Sequence, residues 1–291
     1  MENMEFGTVS TGSLLLILLT AVLGIALPLV AAIIWCKKKH EQFTTVLIGA
    51  ATFMLFAIVI EKPLQALLIM PTSLGLSEHS VSAFVNANPV LWGIIVGLFP
   101  GVFEETGRFV AFKTLLRKRT QRETGLTHGI GHGGFEAMFI LGITYVEYFV
   151  FGLMINMGSF FELMIEPVKD TLTPEVTEQI NAIVNQITTF NAGTMGLSLL
   201  DRLIAVLFHI GASIMVFYAV KDKKKIWLYP LAIVIHTAID GFLGLQLAGV
   251  FEMSDMANEI IFAVEALAVF FAAFFLLYKK DKPKEEKSVT V

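Results

Sequence analysis

The sequence predicts an all-α membrane protein with about seven transmembrane helices, and its composition and charge pattern are the reasons. Of its 291 residues, 55% are hydrophobic and 16% are charged, and the mean hydropathy is +0.73. Soluble domains carry about 25% charged residues. A soluble chain of this length could not bury so much apolar surface in one core. The composition therefore excludes a water-soluble enzyme, a disordered chain and a nucleic-acid-binding protein.

Seven apolar stretches are each long enough to cross about 30 Å of hydrocarbon. The second stretch can continue to about residue 70, and Pro100-Gly101 is expected to interrupt the third. The predicted spans are 13–35, 43–60, 89–116, 127–156, 202–220, 226–250 and 257–278.

Basic residues follow every second span, and the alternate connections lack such clusters. Under the positive-inside rule this places the N-terminus outside and the C-terminus in the cytoplasm. The clusters are Lys37–Lys39, then Arg117, Lys118, Arg119 and Arg122, then Lys221 and Lys223–Lys225, and finally Lys279, Lys280, Lys282, Lys284 and Lys287.

The remaining chain predicts one transmembrane domain over 1–280 and a disordered cytoplasmic tail over 281–291. The connection 157–200 is long and acidic, and its apolar spacing predicts one or two helices on the outer surface. The single cysteine, Cys36, excludes an internal disulfide framework. We expect a multi-pass protein of a bacterial cell membrane.

Ionisable residues inside spans cost several kcal/mol and by default mark function. Counted at about 1.5 Å per residue from the basic ends, most of them fall about 14–21 Å deep, with His132 nearer 9 Å. Tolerated polar residues would scatter in depth, so the convergence predicts one buried, hydrated site within 89–250. The residues at these depths are Glu104, Glu105, Arg108, His132, Glu136, His209, His236 and Asp240, and Arg202 lies on the same helix face as His209.

The residue types suit hydrolysis of a peptide bond. Glu104 and Glu105 point about 100° apart on a helix, so one can pair with Arg108 while the other is free to act as a base. Neutral histidines can donate hydrogen bonds to a developing oxyanion. A carboxylate four residues after His236, Asp240, can hold that imidazole in one tautomer.

Four sequence blocks in spans three to six resemble those of glutamic-type intramembrane proteases. The first is EETGR, from Glu104 to Arg108, and the second is GIGHGGFEAM, which contains Glu136. The third runs from Arg202 to His209, and the fourth is HTAID, ending at Asp240. The set is most similar to the YhfC family, related to PrsW and to the CAAX prenyl-protease and bacteriocin-processing family.

This resemblance implies an intramembrane endopeptidase that uses a glutamate-activated water. Its substrate would be a membrane protein or a lipopeptide within the bilayer, and no cofactor would be needed. Glu104 or Glu105 would be the base, tuned by Arg108, with His209 and His236 around the oxyanion. The remaining cavity-lining residues would be His132, Glu136 and Arg202.

Other interpretations remain open. His128, His132 and Glu136 follow one another at four-residue steps, which is ligand spacing for zinc on a helix, although no HExxH motif is present. The Glu104–Arg108 group could instead be a structural ion-pair lock, and His236 with Asp240 a packing clamp. At the level of function, the alternatives are a proton-coupled transporter or permease subunit and an inactive membrane scaffold or immunity protein.

Overall fold

The computed structural model describes residues 6–172 and 174–281, and within these ranges every regular element is helical. Seven of the described helices are long and apolar enough to cross a membrane, which confirms the predicted fold class. The helices are α1 (Thr11–Lys39), α2 (Phe43–Ile69), α3 (Ser80–Asn86), α4 (Pro89–Lys113), α5 (Glu123–Asn156), α6 (Pro174–Thr188), α7 (Ala192–Lys221), α8 (Leu228–Leu247) and α9 (Met256–Tyr278). All except α3 and α6 are candidate spans.

Helix α2 continues through Glu61 to Ile69, which is the longer of the two predicted extents of the second span, so Glu61 lies within a span. Two features differ from the sequence prediction. Helix α7 begins at Ala192 instead of 202, because Asp201 and Arg202 pair at 2.7 Å and neutralise each other within the helix. Helix α4 is not interrupted at Pro100, which lies inside a continuous helix.

Several helices contain irregular turns. The predicted helical character of 157–200 is confirmed by α6 and by two short turns before it, whereas the predicted tail beyond residue 281 lies outside the described residues. Widened π-helical turns often occur at functional sites, and the first of them ends at Glu61. The π-helical turns are Met54–Glu61, Met138–Ile143, Phe161–Ile165 and Phe274–Tyr278, and the 3₁₀ turns are Pro71–Leu74, Glu166–Thr171 and Lys223–Lys225.

The chain divides into two compact units, so the single domain expected over 1–280 stays a prediction. The first unit comprises the described residues within 1–29 and 137–203, and the second comprises those within 30–136 and 204–291. Apolar side chains form a core in each. The first core includes Ile17, Leu141, Tyr145, Ile187 and Phe190, and the second includes Phe112, Leu126, Ile214, Phe217 and Leu228.

The basic connections of the second unit gather at one end of it. Arg119 donates hydrogen bonds to Gln42 and Thr44, each at 2.7 Å, which joins the connection after α4 to the connection after α1. Asp281, just past α9, bonds Lys221 at 2.5 Å, and its carbonyl accepts from Arg122. We call this end the basic face. Its position relative to the cell stays an expectation from the positive-inside rule.

Glycines allow α4 and α8 to pack backbone against backbone. Gly93, Gly97 and Gly101 recur every fourth residue along α4. Gly93 faces Gly244, and a Cβ added at Gly97 would overlap the backbone of Gly241. Small residues at such spacing permit the close helix approach that stabilises membrane bundles. This contact fixes Glu104 and Glu105 of α4 against His236 of α8.

Replacing Gly97 with Leu is expected to separate α4 from α8 and to destabilise the fold by at least about 1–3 kcal/mol. Thermal unfolding and size-exclusion chromatography in detergent would measure the loss. Gly196→Leu is the matched control, because a Cβ at helical Gly196 meets nothing within 4 Å. Equal behaviour of the two variants would contradict the packing assigned to Gly97.

Candidate active site

The paired glutamates of α4 lie buried on either side of one arginine. Glu104 is 6% exposed, and Glu105 and Arg108 are fully buried. Arg108 Nη1 donates to Glu105 Oε1 at 2.5 Å, and Nη2 lies 3.4 Å from Glu104 Oε2. One guanidinium therefore bridges both carboxylates, whereas the sequence predicted a pair with only one of them. Such charge-assisted contacts offset part of the cost of burying three ionisable groups.

Helix α7 adds His209 beside the arginine. Arg108 Nη2 lies 2.6 Å from His209 Nδ1, and because a guanidinium only donates, Nδ1 must be the acceptor. The proton of a neutral imidazole is then on Nε2, which faces the carboxylate of Glu136 on α5. The hydrogen-bond network thus assigns the tautomer of His209, with Glu136 as the group that orients it.

Helix α5 also brings His132 to the first glutamate. His132 Nε2 lies 2.9 Å from Glu104 Oε2, and His209 Nδ1 lies 3.8 Å from the same oxygen. The close packing depends on glycine, since a Cβ at Gly129 would overlap the backbone of Ile210 on α7, and Gly133 abuts His209. The glycine-rich block of α5 therefore sets the distance between these two histidines.

Helix α8 supplies the partner of the second glutamate. His236 Nδ1 lies 2.8 Å from Glu105 Oε1, and His236 Nε2 lies 3.4 Å from Asp240 Oδ2. A neutral imidazole can donate to only one of these carboxylates, whereas a protonated one donates to both. His236 therefore connects fully buried Glu105 to Asp240, whose side chain is 37% exposed.

Negative charge exceeds positive charge in this network. Glu104, Glu105, Glu136 and Asp240 supply four carboxylates, and Arg108 is the permanent cation among them. A buried excess of carboxylates is costly unless protons or a cation neutralise it. The network is thus suited to hold an additional cation.

A metal ion fits one part of the network. In the part of the chain that the structure describes, one group of three possible ligands is found, namely Glu104, His132 and His209, whose ligand atoms all lie within 4.8 Å of one another. Two imidazoles and one carboxylate are a ligand set of catalytic zinc sites. The contact between His209 and Glu136 supplies the outer carboxylate that commonly orients a metal-binding histidine.

The alternative zinc set from the sequence is not brought together. His128 is fully buried, with Nε2 3.3 Å from Thr52 Oγ1 and Nδ1 3.3 Å from Ser213 Oγ. Of that set, His132 contacts Glu104 and Glu136 contacts His209. Arg202, expected to line the cavity, belongs to the first unit, where it contacts Asp201.

Glu61 is a further buried acid near the site, and the sequence does not predict its presence there. Its side chain is fully buried, bonds Lys62 at 2.9 Å, and lies within electrostatic range of Glu104 and His236. Glu61 ends the π-helical turn of α2, and such turns often occur at functional sites. The sequence alone does not predict this turn.

Comparison with known proteins agrees with a membrane protease. The family model described as "YhfC intramembrane metalloprotease" matches residues 23–264. The "Uncharacterized membrane protein YhfC" of Bacillus subtilis (strain 168) is 28% identical over 264 residues, covering 90% of this chain and 96% of that protein. No solved structure matches.

The family description concerns both the predicted protease activity and the use of a metal. It suggests protease activity and, together with the Glu104, His132 and His209 group, leans toward a metal and against the cofactor-free site expected from the sequence. The relation to PrsW and the CAAX proteases stays a prediction. Because the match covers most of the chain, this multi-pass membrane protein belongs to the YhfC family.

Proposed function

We propose that the protein is an intramembrane endopeptidase whose metal is held by Glu104, His132 and His209. The observation that carries the proposal is the convergence of these three side chains, from three different spans, on one buried point. The substrate would be a membrane-protein segment or a lipopeptide within the bilayer, because the site lies at the depth of the spans and not in a soluble domain. Bound there, a metal ion would supply Lewis-acid polarisation of the scissile carbonyl.

The second glutamate is the base in this proposal. Glu105 Oε1 accepts from Arg108 and faces His236, whereas Glu105 Oε2 is buried with no hydrogen-bond partner among the described residues. In this proposal, Glu105 Oε2 takes a proton from the attacking water. Arg108 fixes the orientation of the carboxylate, and the same proton is then available for the leaving amine.

His236 and Asp240 serve the proton transfer in this scheme. Their hydrogen bonds form a path from Glu105 Oε1 through the imidazole to the half-exposed Asp240 carboxylate. Such a path would let Glu105 exchange protons with water between turnovers. His236 is close enough to Glu105 to donate to an oxyanion formed beside it, which is the role that the sequence resemblance implies.

A metal-free glutamate mechanism is the second candidate. Arg108 places positive charge against Glu104 Oε2 and His209 Nδ1, which are atoms that would also face the metal. A guanidinium at that position could stabilise an oxyanion without a metal.

Elemental analysis of the purified protein, combined with cleavage of quenched membrane-segment peptides, would test the proposal. We expect about one bound zinc per chain and cleavage that a chelator abolishes and added zinc restores. Cleavage by metal-free protein that a chelator does not affect would favour the second candidate. Absence of cleavage from metal-loaded, folded protein across a diverse library would contradict the protease assignment.

A further inference from the structure

The candidate site is closed on its side toward the basic face. Every residue of α7 from Phe208 to Ala219 is buried, and this half of the helix leads from His209 to the basic face. On α5, His128 lies on the basic-face side of His132 and contacts Thr52 and Ser213. Phe112 covers its ring, with the ring centroids 4.6 Å apart. Packed side chains therefore leave no route for a peptide from this face among the described residues.

Exposure of the polar residues rises in the opposite direction along two helices, and a third helix exposes a lysine beside the site. Helices α2, α5 and α8 all begin at the basic face, so residues later in each helix lie farther from it. On α5, the side-chain exposure goes from 0% at His132 to 12% at Glu136. On α8 it goes from 3% at His236 to 37% at Asp240. On α2, Lys62 is 57% exposed and contacts the fully buried carboxylate of Glu61 at 2.9 Å.

Lys62 and Asp240 are too deep to be exposed to lipid at low cost. Each lies seven residues before the far end of its helix, Ile69 or Leu247, which is about 10 Å along the helix axis. An ionised group in hydrocarbon costs several kcal/mol, and the short Asp240 side chain cannot extend to the headgroups as a lysine can. Exposed charges at this depth are stable where water reaches them.

We infer that water and substrate reach the Glu104–Glu105 site through a polar opening lined by Lys62 and Asp240, on the side away from the basic face. As far as it concerns a substrate, the inference rests on the proposed function. The substrate class is then a membrane segment whose scissile bond lies in the half of the bilayer opposite the basic face. A bond near the lysine-rich end of a substrate segment would lie at the closed side of the site, so we expect it not to be cleaved.

Cysteine accessibility tests this opening without requiring turnover. The native thiol is removed as Cys36→Ala, and Lys62→Cys and Asp240→Cys are introduced singly. Matched lipid-facing controls on the same helices are Val59→Cys and Leu243→Cys, at positions 55% and 49% exposed. Lys38→Cys marks the basic face, and Glu78→Cys, in the exposed connection after α2, marks the opposite face.

Vesicles of each orientation are treated with a charged, membrane-impermeant thiol reagent, and labelling is followed by mass. Only a thiolate in contact with water reacts rapidly, so the reagent distinguishes aqueous from lipid exposure. We expect Lys62→Cys and Asp240→Cys to react at least about tenfold faster than the lipid-facing controls, from the same side as Glu78→Cys. Ser213→Cys should react from neither side.

Labelling of Lys62→Cys or Asp240→Cys from the Lys38 side, or no faster than Val59→Cys and Leu243→Cys, would overturn the inference. Size-exclusion chromatography confirms that each variant is folded, and two independent probe positions protect against loss of one variant. An active protease labelled from the basic face would refute the opening alone. Cleavage is measured on the wild-type protein, because Asp240 belongs to the proposed proton path, and absence of cleavage there with correct labelling of the variants would refute the proposed function alone.

Discussion

Replacement of Glu105 by Gln is expected to lower turnover about 10²–10⁴-fold while leaving the bound metal in place. The amide keeps the size of the side chain, and its oxygen can still accept from Arg108, so the helix contacts persist. It cannot take a proton from water, so hydrolysis loses its base. The measurements are kcat for a membrane-segment peptide and metal content by elemental analysis.

Glu104→Gln is the matched control, since it makes the same change one residue away. Here the amide oxygen is a weaker ligand than a carboxylate, so metal and turnover should be lost together. If Glu105→Gln lost its metal and Glu104→Gln retained it, Glu105 would be the metal ligand and Glu104 the base. Full turnover in both variants would remove the pair from the mechanism altogether.

The sequence predicts which polar residues lie at similar levels along their spans, because that level depends on local helix geometry. Helical rise and span boundaries place Glu104, Glu105, His209 and His236 at similar levels, and the structure brings all four into one network. The contact between His236 and Asp240 follows from their spacing within one helix. The level of a residue and a contact within one helix can both be predicted from the repeat of an α-helix and the thickness of a bilayer.

Contacts between helices depend on the rotation of each helix about its axis, and sequence spacing does not fix that rotation. His128 and His132 share one face of α5, yet the first meets Thr52 and Ser213 and the second meets Glu104. Glu61 directly follows the stretch 43–60 in the sequence, and only the continuation of α2 to Ile69 brings it beside the site. The ligand group therefore emerges only once α4, α5 and α7 are packed together.

Replacement of Arg108 by Gln is expected to destabilise the metal-free protein and to increase its stabilisation by zinc. Removal of the guanidinium leaves Glu104 and Glu105 buried without their cation, and breaking such a pair typically costs about 3–5 kcal/mol. The same removal frees Glu104 Oε2 and His209 Nδ1, which Arg108 contacts at 3.4 and 2.6 Å. A divalent cation can then bind these atoms without displacing a resident charge.

Thermal unfolding across a zinc titration measures both effects, because a ligand of the folded state raises Tm with its concentration and affinity. We expect Arg108→Gln to have the lower Tm without zinc and the larger zinc-dependent rise, with half-maximal effect at a zinc concentration at least about tenfold lower. Arg108→Lys, which retains a positive charge, should resemble the wild type more closely. An unchanged zinc response in Arg108→Gln would show that arginine and metal do not compete, and the ligand set would then have to exclude the His209 Nδ1 atom that the arginine occupies.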